Sequence, residues 1–289
     1  MGTSPDFLVL GHVTLDLQPD GSFRPGGTAL YAALTAARLG YRAALYTAAS
    51  PAEADEWLVS LRRAGVEVVC RPSPATTTFQ NRYRAGRRRQ YLFRRAEPLP
   101  PEELPAGWEE VPLVLLGPVA GEVSPTWAER FPRSLVGACL QGWLRDWGRS
   151  GQVRFVPWNE AERYLPSLGA AFLSEEDVRP RPALVQAYAA CCPLLVLTRG
   201  RRGAVLFRAG RPEAVPAFPA VEVDPTGAGD VFATAFLLRL AEGAEAREAV
   251  RFAAAAAALS VQGPGSEAVP DRPAVERLLR EVSGVDASG

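Results

Sequence analysis

The chain has 289 residues, with 32 basic side chains against 32 acidic ones and a formal charge of zero. This suits one large α/β domain whose core needs no disulfide or metal staple, and it argues against a nucleic-acid or membrane-surface partner. Every basic side chain other than His12 is arginine, so a P-loop lysine, a strand lysine of the protein-kinase type and a pyridoxal Schiff base are excluded, and any histidine-based triad would have to use His12.

The opening residues MGTSPDFLVLG contain no basic segment and no long apolar stretch, and no run approaches a membrane span. A soluble cytoplasmic protein is the expectation. Phe7–Val13 reads as a first strand, which gives His12 a structural or substrate-side place. An extended piece over Thr14–Arg24 ends in Gly26-Gly27. Helices are expected at Thr28–Leu39 and Ala52–Ala64, and strands at Arg42–Thr47 and Val66–Cys70. Thr76–Arg84 alternates and is rich in threonine and aromatics, and Arg87–Phe93 follows Ala85-Gly86. The two pieces predict an antiparallel hairpin turning near Gly86. With the earlier extended piece they would form lid strands at about 14–25 and 75–95, a flap that excludes water from a ligand edge; an ordinary surface hairpin reads the same way. The run Arg87-Arg88-Arg89 is short and set among balanced charge, so it reads as a solvated or substrate-facing strand.

Further strands are expected at Leu113–Gly117, Leu135–Leu140, Ala171–Leu173, Leu194–Thr198 and Ala204–Phe207. Further helices are expected at Pro125–Phe131, Ala183–Ala190, Ala228–Leu240, Ala246–Val261 and Pro273–Val282, with Gly284–Gly289 as a frayed tail. The strands are continuous apolar runs, as when both sheet faces are covered. The fold class is therefore α/β, a doubly wound, mostly parallel sheet flanked by helices over a single domain of residues 1–289, with a small β-strand lid. Cys70, Cys139, Cys191 and Cys192 form no C-x-x-C pair and read as buried thiols.

The most informative stretch is Asp224-Pro225-Thr226-Gly227-Ala228-Gly229-Asp230, between the strand-like run Val221–Val223 and an apolar helix. Small residues at such a turn leave backbone N–H groups open at the positive end of a helix, where an anion is stabilised. An acid in the first helical turn makes sense if it orients a hydroxyl while the N–H groups steady an arriving phosphoryl group. A glycine-rich turn with an ordinary N-terminal helix acid fits the same letters.

In this context the chain resembles the ribokinase-like PfkB family of carbohydrate kinases. DPTGAGD is similar to the family's C-terminal signature. GHVTLD at Gly11–Asp16 resembles its first strand and substrate aspartate, and Gly26-Gly27 with AALTAARLG at Ala32–Gly40 resembles its N-terminal signature. Thr198–Gly203 (TRGRRG) resembles its nucleotide segment, and the late alanine helix with Gly263 resembles its adenine-side elements. The resemblance implies that Asp230 accepts the proton of the attacking hydroxyl, kept ionised by the adjoining helix, and that the Gly227, Ala228 and Gly229 amides form an anion hole. Asp16, Gly26 and Gly27 would bind substrate, and Thr198, Gly200, Gly203 and Gly263 would bind ATP. Mg²⁺ would be reached through water by Asp177 or Glu176, a monovalent cation stays a further candidate, and a homodimer through the flap is implied.

Two departures matter. Tyr31 stands where many members carry an asparagine, which argues against ribose or fructose. The family's N-x-x-E letters occur at Asn159–Glu162, but Ser174–Asp177 is better placed. Tyr31, the hairpin ending in arginines and Leu140–Arg145 (LQGWLR) resemble a narrower branch, the archaeal myo-inositol 3-kinases. That branch would point Gln141 and Arg145 at a small polyhydroxylated substrate. The alternatives are the same chemistry on ribose, a ketohexose or a nucleoside, and a non-catalytic sugar- or nucleotide-binding regulator. A dinucleotide oxidoreductase is weaker, since no G-x-G-x-x-G follows the first strand.

Overall fold

In the computed structural model, which describes residues 4–84 and 87–286, alternate residues of one strand enter different cores. Phe7 and Val9 face one hydrophobic cluster and Leu8 and Leu10 the other, all fully buried. A strand apolar at every position must be covered on both faces, and this one is.

In chain order the elements are β1 (Phe7–Leu10), β2 (Thr14–Leu17), β3 (Phe23–Gly26), α1 (Thr28–Arg38), β4 (Ala43–Ala49), α2 (Pro51–Arg63) and β5 (Glu67–Pro72). Then come β6 (Thr78–Arg84), β7 (Arg87–Arg94), β8 (Leu113–Leu116), β9 (Leu135–Cys139), β10 (Arg145–Asp146), β11 (Arg154–Phe155), α3 (Ala161–Tyr164) and β12 (Ala170–Ser174). The chain closes with α4 (Glu175–Val178), α5 (Leu184–Cys191), β13 (Leu194–Thr198), β14 (Ala204–Arg208), β15 (Arg211–Val215), α6 (Ala228–Ala241), α7 (Ala246–Ser260) and α8 (Arg272–Asp286).

Nine strands form the main sheet in the order β15-β14-β13-β12-β9-β8-β1-β4-β5. It is parallel from β5 to β13, and β14 and β15 run antiparallel at one edge. The order reverses at β1, which lies between β4 and β8, so a crevice opens beyond the carboxyl ends there. A second sheet, β3-β2-β6-β7, stands over that edge, and a short β10–β11 pair lies beside it.

Helix α6 is apolar all round: Val231 to Leu238 are buried without interruption. Such a helix must be enclosed, and α1, α7 and the sheet enclose it. Gly137 in β9 brings it close, because a Cβ there would lie 2.4 Å from a methyl of Leu237. The alanine run of α7 allows the same approach on its other side.

Some expectations change. Val221–Val223 is not a strand; no partner strand meets it, and Val223 N–H instead donates to Val261 O at 2.7 Å. Pro125–Arg130 is a 3₁₀ turn rather than an α-helix. The first strand stops at Leu10, and its expected last residues turn toward the second sheet. Strand β15 lacked an apolar pattern because it is an exposed edge. The turn expected near Gly86 and the end of the expected frayed tail lie outside the described residues, and α8 continues to Asp286.

Candidate active site

Gly227 caps α6 in the left-handed region, with φ of 78°. It needs the glycine for a second reason: a Cβ there would lie 2.2 Å from Cδ1 of Tyr31. The turn is shaped by Asp224, whose Oδ1 accepts from Thr226 N–H at 2.9 Å while its Oδ2 accepts from Gly265 N–H at 3.1 Å. One carboxylate thus joins the glycine turn to the loop after α7. Of the amides expected to be open, that of Ala228 makes a long turn bond to Pro225 O, 3.3 Å.

Asp230 lies in the first turn of α6, half-buried. Burial pushes its carboxyl up to about 6; a hydrogen bond from Thr28 opposes this, Asp177 adds to it, and Arg145 opposes it. The helix N-terminus was expected to hold the acid fully ionised. Desolvation and a second carboxylate outweigh it here. Thr28 from the start of α1, Asp177 from α4 and Arg145 from β10 face Asp230. Beneath them the thiol of Cys139 is pushed well up by burial, with Asp230 and Asp177 adding to the effect.

The acceptor side is built by α1 and the second sheet. Gly27 caps α1 with φ of 87°, and a Cβ there would lie 2.8 Å from His12 O. A Cβ on Gly26 would lie 2.8 Å from Oδ2 of Asp16. Tyr31 joins the two sides. Its phenol is held well above the usual range by burial and then by Asp224, Asp230 and Asp16, so all three carboxylates surround it.

Gln141 reaches a different partner from the one expected. Its Nε2 donates to Asp177 Oδ1 at 3.1 Å, and Asp177 Oδ2 accepts from Ser174 N–H in a capping box. Gln141 thus orients the carboxylate that approaches Asp230. Glu176 is exposed on the outer side of the same turn. Among the described residues no group of three metal ligands occurs. Asp177 with Asp230 is nevertheless a donor set that suits a hydrated divalent cation.

On the opposite flank, Thr198 donates to Leu173 O at 3.4 Å, and Gly200 is exposed with φ of 54°. Gly203 is buried, and a Cβ there would lie 2.1 Å from Val215 O, so its part is packing. Between Thr198 and Gly200, the Nε of Arg199 is buried with no hydrogen-bond partner among the described residues. An orphaned guanidinium N–H in this position fits an anionic ligand. Just before the glycine turn Val221 and Val223 are 77% and 62% exposed, and Val223 is tied to Val261 at the end of α7.

The fully buried His12 takes the structural place expected of it: Nε2 donates to Glu97 O at 2.9 Å, so Nδ1 accepts from the Thr77 hydroxyl at 2.7 Å. Burial pushes the imidazole below its ordinary value. Two supporting groups were not singled out from the sequence. Thr28 is one. The other is Glu122, 1% exposed, whose carboxylate accepts from the N–H groups of His12, Val119 and Ala120. It clips the ends of β1 and β8 where the second sheet is rooted. No sequence pattern marks it, because its partners are backbone amides. Glu122→Ala is expected to lower the unfolding free energy in urea by at least about 3 kcal/mol, since three buried N–H groups lose their acceptor at about 1–3 kcal/mol each.

This is the ribokinase-like fold: superposition on a pyrophosphate-dependent kinase of the ribokinase family, solved with a pyrophosphate analog and myo-inositol, gives a TM-score of 0.80 at 23% identity, over 94% of this chain and 99% of that one. Residues 160–272 match the model of the pfkB family carbohydrate kinases. A ribokinase from Bacillus subtilis is 43% identical over 102 residues, 35% of this chain and 34% of that protein. A cytidine kinase from Thermococcus kodakarensis is 28% identical over 285 residues, 85% of this chain and 92% of that protein. The matches to curated ribokinases and an inositol 3-kinase span only 27% to 35% of those proteins' length. Among the described residues no helix is long and apolar enough to cross a membrane.

Proposed function

We propose that the chain is an ATP-dependent kinase that transfers the γ-phosphoryl group to a hydroxyl of a small polyol, with myo-inositol the first acceptor to test. The observation that carries this reading is Asp230 at the N-terminus of α6, with Asp16, Tyr31 and Arg145 around the same point. An alcohol is too weak an acid to be ionised beforehand by a carboxylate. In a loose transition state the proton leaves late, so Asp230 needs to be ionised and in line. Asp16 would hold acceptor hydroxyls, and the Gly227–Gly229 turn would receive the phosphoryl oxygens. Mg²⁺ would lie near Asp177 through water, supplying charge neutralisation at the phosphates. Phe23 and Phe93, 46% and 56% exposed on the second sheet, support a homodimer formed through it.

ATP is the donor this site favours. An exposed apolar strip beside the glycine turn gives an adenine ring a place to lie; inorganic pyrophosphate would have no use for it. ADP release is expected with ATP, and phosphate release from pyrophosphate is expected to stay at background. A panel of myo-inositol, D-ribose, a ketohexose and cytidine, read by ADP release, tests the acceptor. Binding of ATP and a sugar without ADP release from any acceptor would count for a regulator instead.

A further inference from the structure

Helices α6, α7 and α8 enclose a groove of about 400 Å³, a volume that suits a small metabolite. Arg239 of α6 lines it, with Glu248 and Arg251 of α7 and Glu276, Leu279 and Arg280 of α8. The groove is separate from the cleft. At ~1.5 Å per residue, Arg239 lies about 14 Å along α6 from Asp230.

The charges in this groove are not paired as their spacing would suggest. Glu248 stands three residues before Arg251 on α7, and Glu276 stands four residues before Arg280 on α8. At those spacings an acid and an arginine on one helix normally meet. Here both acids turn to other partners. Glu248 accepts from Arg239, which also donates to Glu242 at 2.9 Å. Glu276 approaches Arg272 at 4.0 Å. Arg239 and Arg272 are held in place by the Phe252 ring, whose centre lies 5.9 Å from one guanidinium and 5.6 Å from the other. The guanidiniums of Arg251 and Arg280 are left with no hydrogen bond or ion pair among the described residues, although Arg251 is half-buried. Two unpaired forks of N–H donors on neighbouring helices match the oxygens of a phosphate.

We propose that this groove is a second ligand site, which binds the phosphate monoester of a small polyhydroxylated ring. Arg251 and Arg280 take the phosphate. Glu248 and Glu276 keep lone pairs free beyond their arginine contacts, and these accept from ring hydroxyls. Leu279 lies under the ring carbons. The acids distinguish this ligand from a bare anion, which they would repel. Phe252 is 3% exposed, so no aromatic face is open for a nucleobase to stack on. A polyol ester therefore fits better than a nucleotide.

The test is hydrogen exchange on the full-length chain, titrated with myo-inositol 1-phosphate, inorganic phosphate or AMP. The inositol ester is expected to slow exchange in residues 246–252 and 272–282. Inorganic phosphate and AMP should each need at least about tenfold more for the same protection, since each lacks one set of contacts. Arg280→Gln, an exposed change that spares the fold, should weaken the ester at least about tenfold. Arg251→Lys keeps the charge and the stem but loses the fork, and it should weaken the ester as well. Arg277→Gln removes the same charge from an exposed position outside the groove and should change nothing. Protection confined to residues 224–230, or protection unchanged in Arg280→Gln, would overturn the site. Equal or tighter binding of inorganic phosphate or AMP would overturn the polyol ester as its ligand. Phosphoryl transfer does not enter the readout, so this site and the kinase reading can fail separately.

Discussion

Asp230→Asn is expected to lower kcat about a thousandfold, in the middle of the range for loss of a general base, with the KM for ATP nearly unchanged. Retention of more than a tenth of wild-type turnover would remove Asp230 from its assigned role. The wild type should lose kcat/KM on the acid side with a midpoint near the carboxyl's value of about 6. Thr28→Ala removes a hydrogen bond that favours the ionised form, so it should move that midpoint upward.

The same carboxyl makes a stability prediction. Its folded value is raised above the unfolded one, so the group favours folding below the unfolded value, and that contribution is lost as pH rises through about 6. At pH 8 the wild type carries a half-buried charge that it would be more stable without. Asp230→Asn should therefore melt a few degrees higher than wild type at pH 8, with the gain absent at pH 4. Thermal unfolding at the two pH values checks this, and equal melting temperatures at pH 8 would contradict it.

The second large effect is expected at Gly227. Alanine there must adopt a left-handed backbone and place its Cβ into the Tyr31 ring. Overpacking costs about 1–3 kcal/mol and the backbone roughly 1 kcal/mol more, so Gly227→Ala should lose about 2–4 kcal/mol in urea unfolding. Turnover should fall below detection because the turn and Asp230 move together. The clash needs both partners, so Gly227→Ala with Tyr31→Ala should be less destabilising than the sum of the single changes. Strict additivity would mean that Tyr31 is not what confines Gly227.

Much of this architecture is legible in local chemistry. Unbroken apolar runs such as Phe7–Leu10 and Ala43–Ala49 indicate strands covered on both faces, and the alternating Thr78–Arg84 indicates a strand with one face free. Asp230 and Gly227 stand out in one short glycine turn, and Asp16 in a resemblance of the opening residues to a known first strand; the structure brings the two acids together around Tyr31. What stays hidden in sequence depends on distant partners. The apolar run Val221–Val223 looks like a strand, yet a strand needs a neighbour and none is there. Nothing in the sequence shows that Gln141 donates to Asp177, 36 positions away. The ionisation of Asp230 follows from its surroundings, since Asp177, Arg145 and Thr28 come together only when the sheet has formed. Glu122 is silent in sequence because backbone amides have no letter.

The contact between Tyr31 and Gly227 has a consequence for how the chain is made. The groups around the reacting point come from both ends of the sequence: Asp16 and Tyr31 from the opening residues, and Asp224, Asp230 and Gly265 from the last quarter. A ribosome synthesises them far apart in time. The early segment must leave the exit tunnel and persist with its cleft half-built until the late helix arrives to complete it. A nascent chain cut short before α6 lacks Asp230 and the glycine turn proposed to receive the phosphoryl oxygens, and no amino-terminal fragment should show residual turnover.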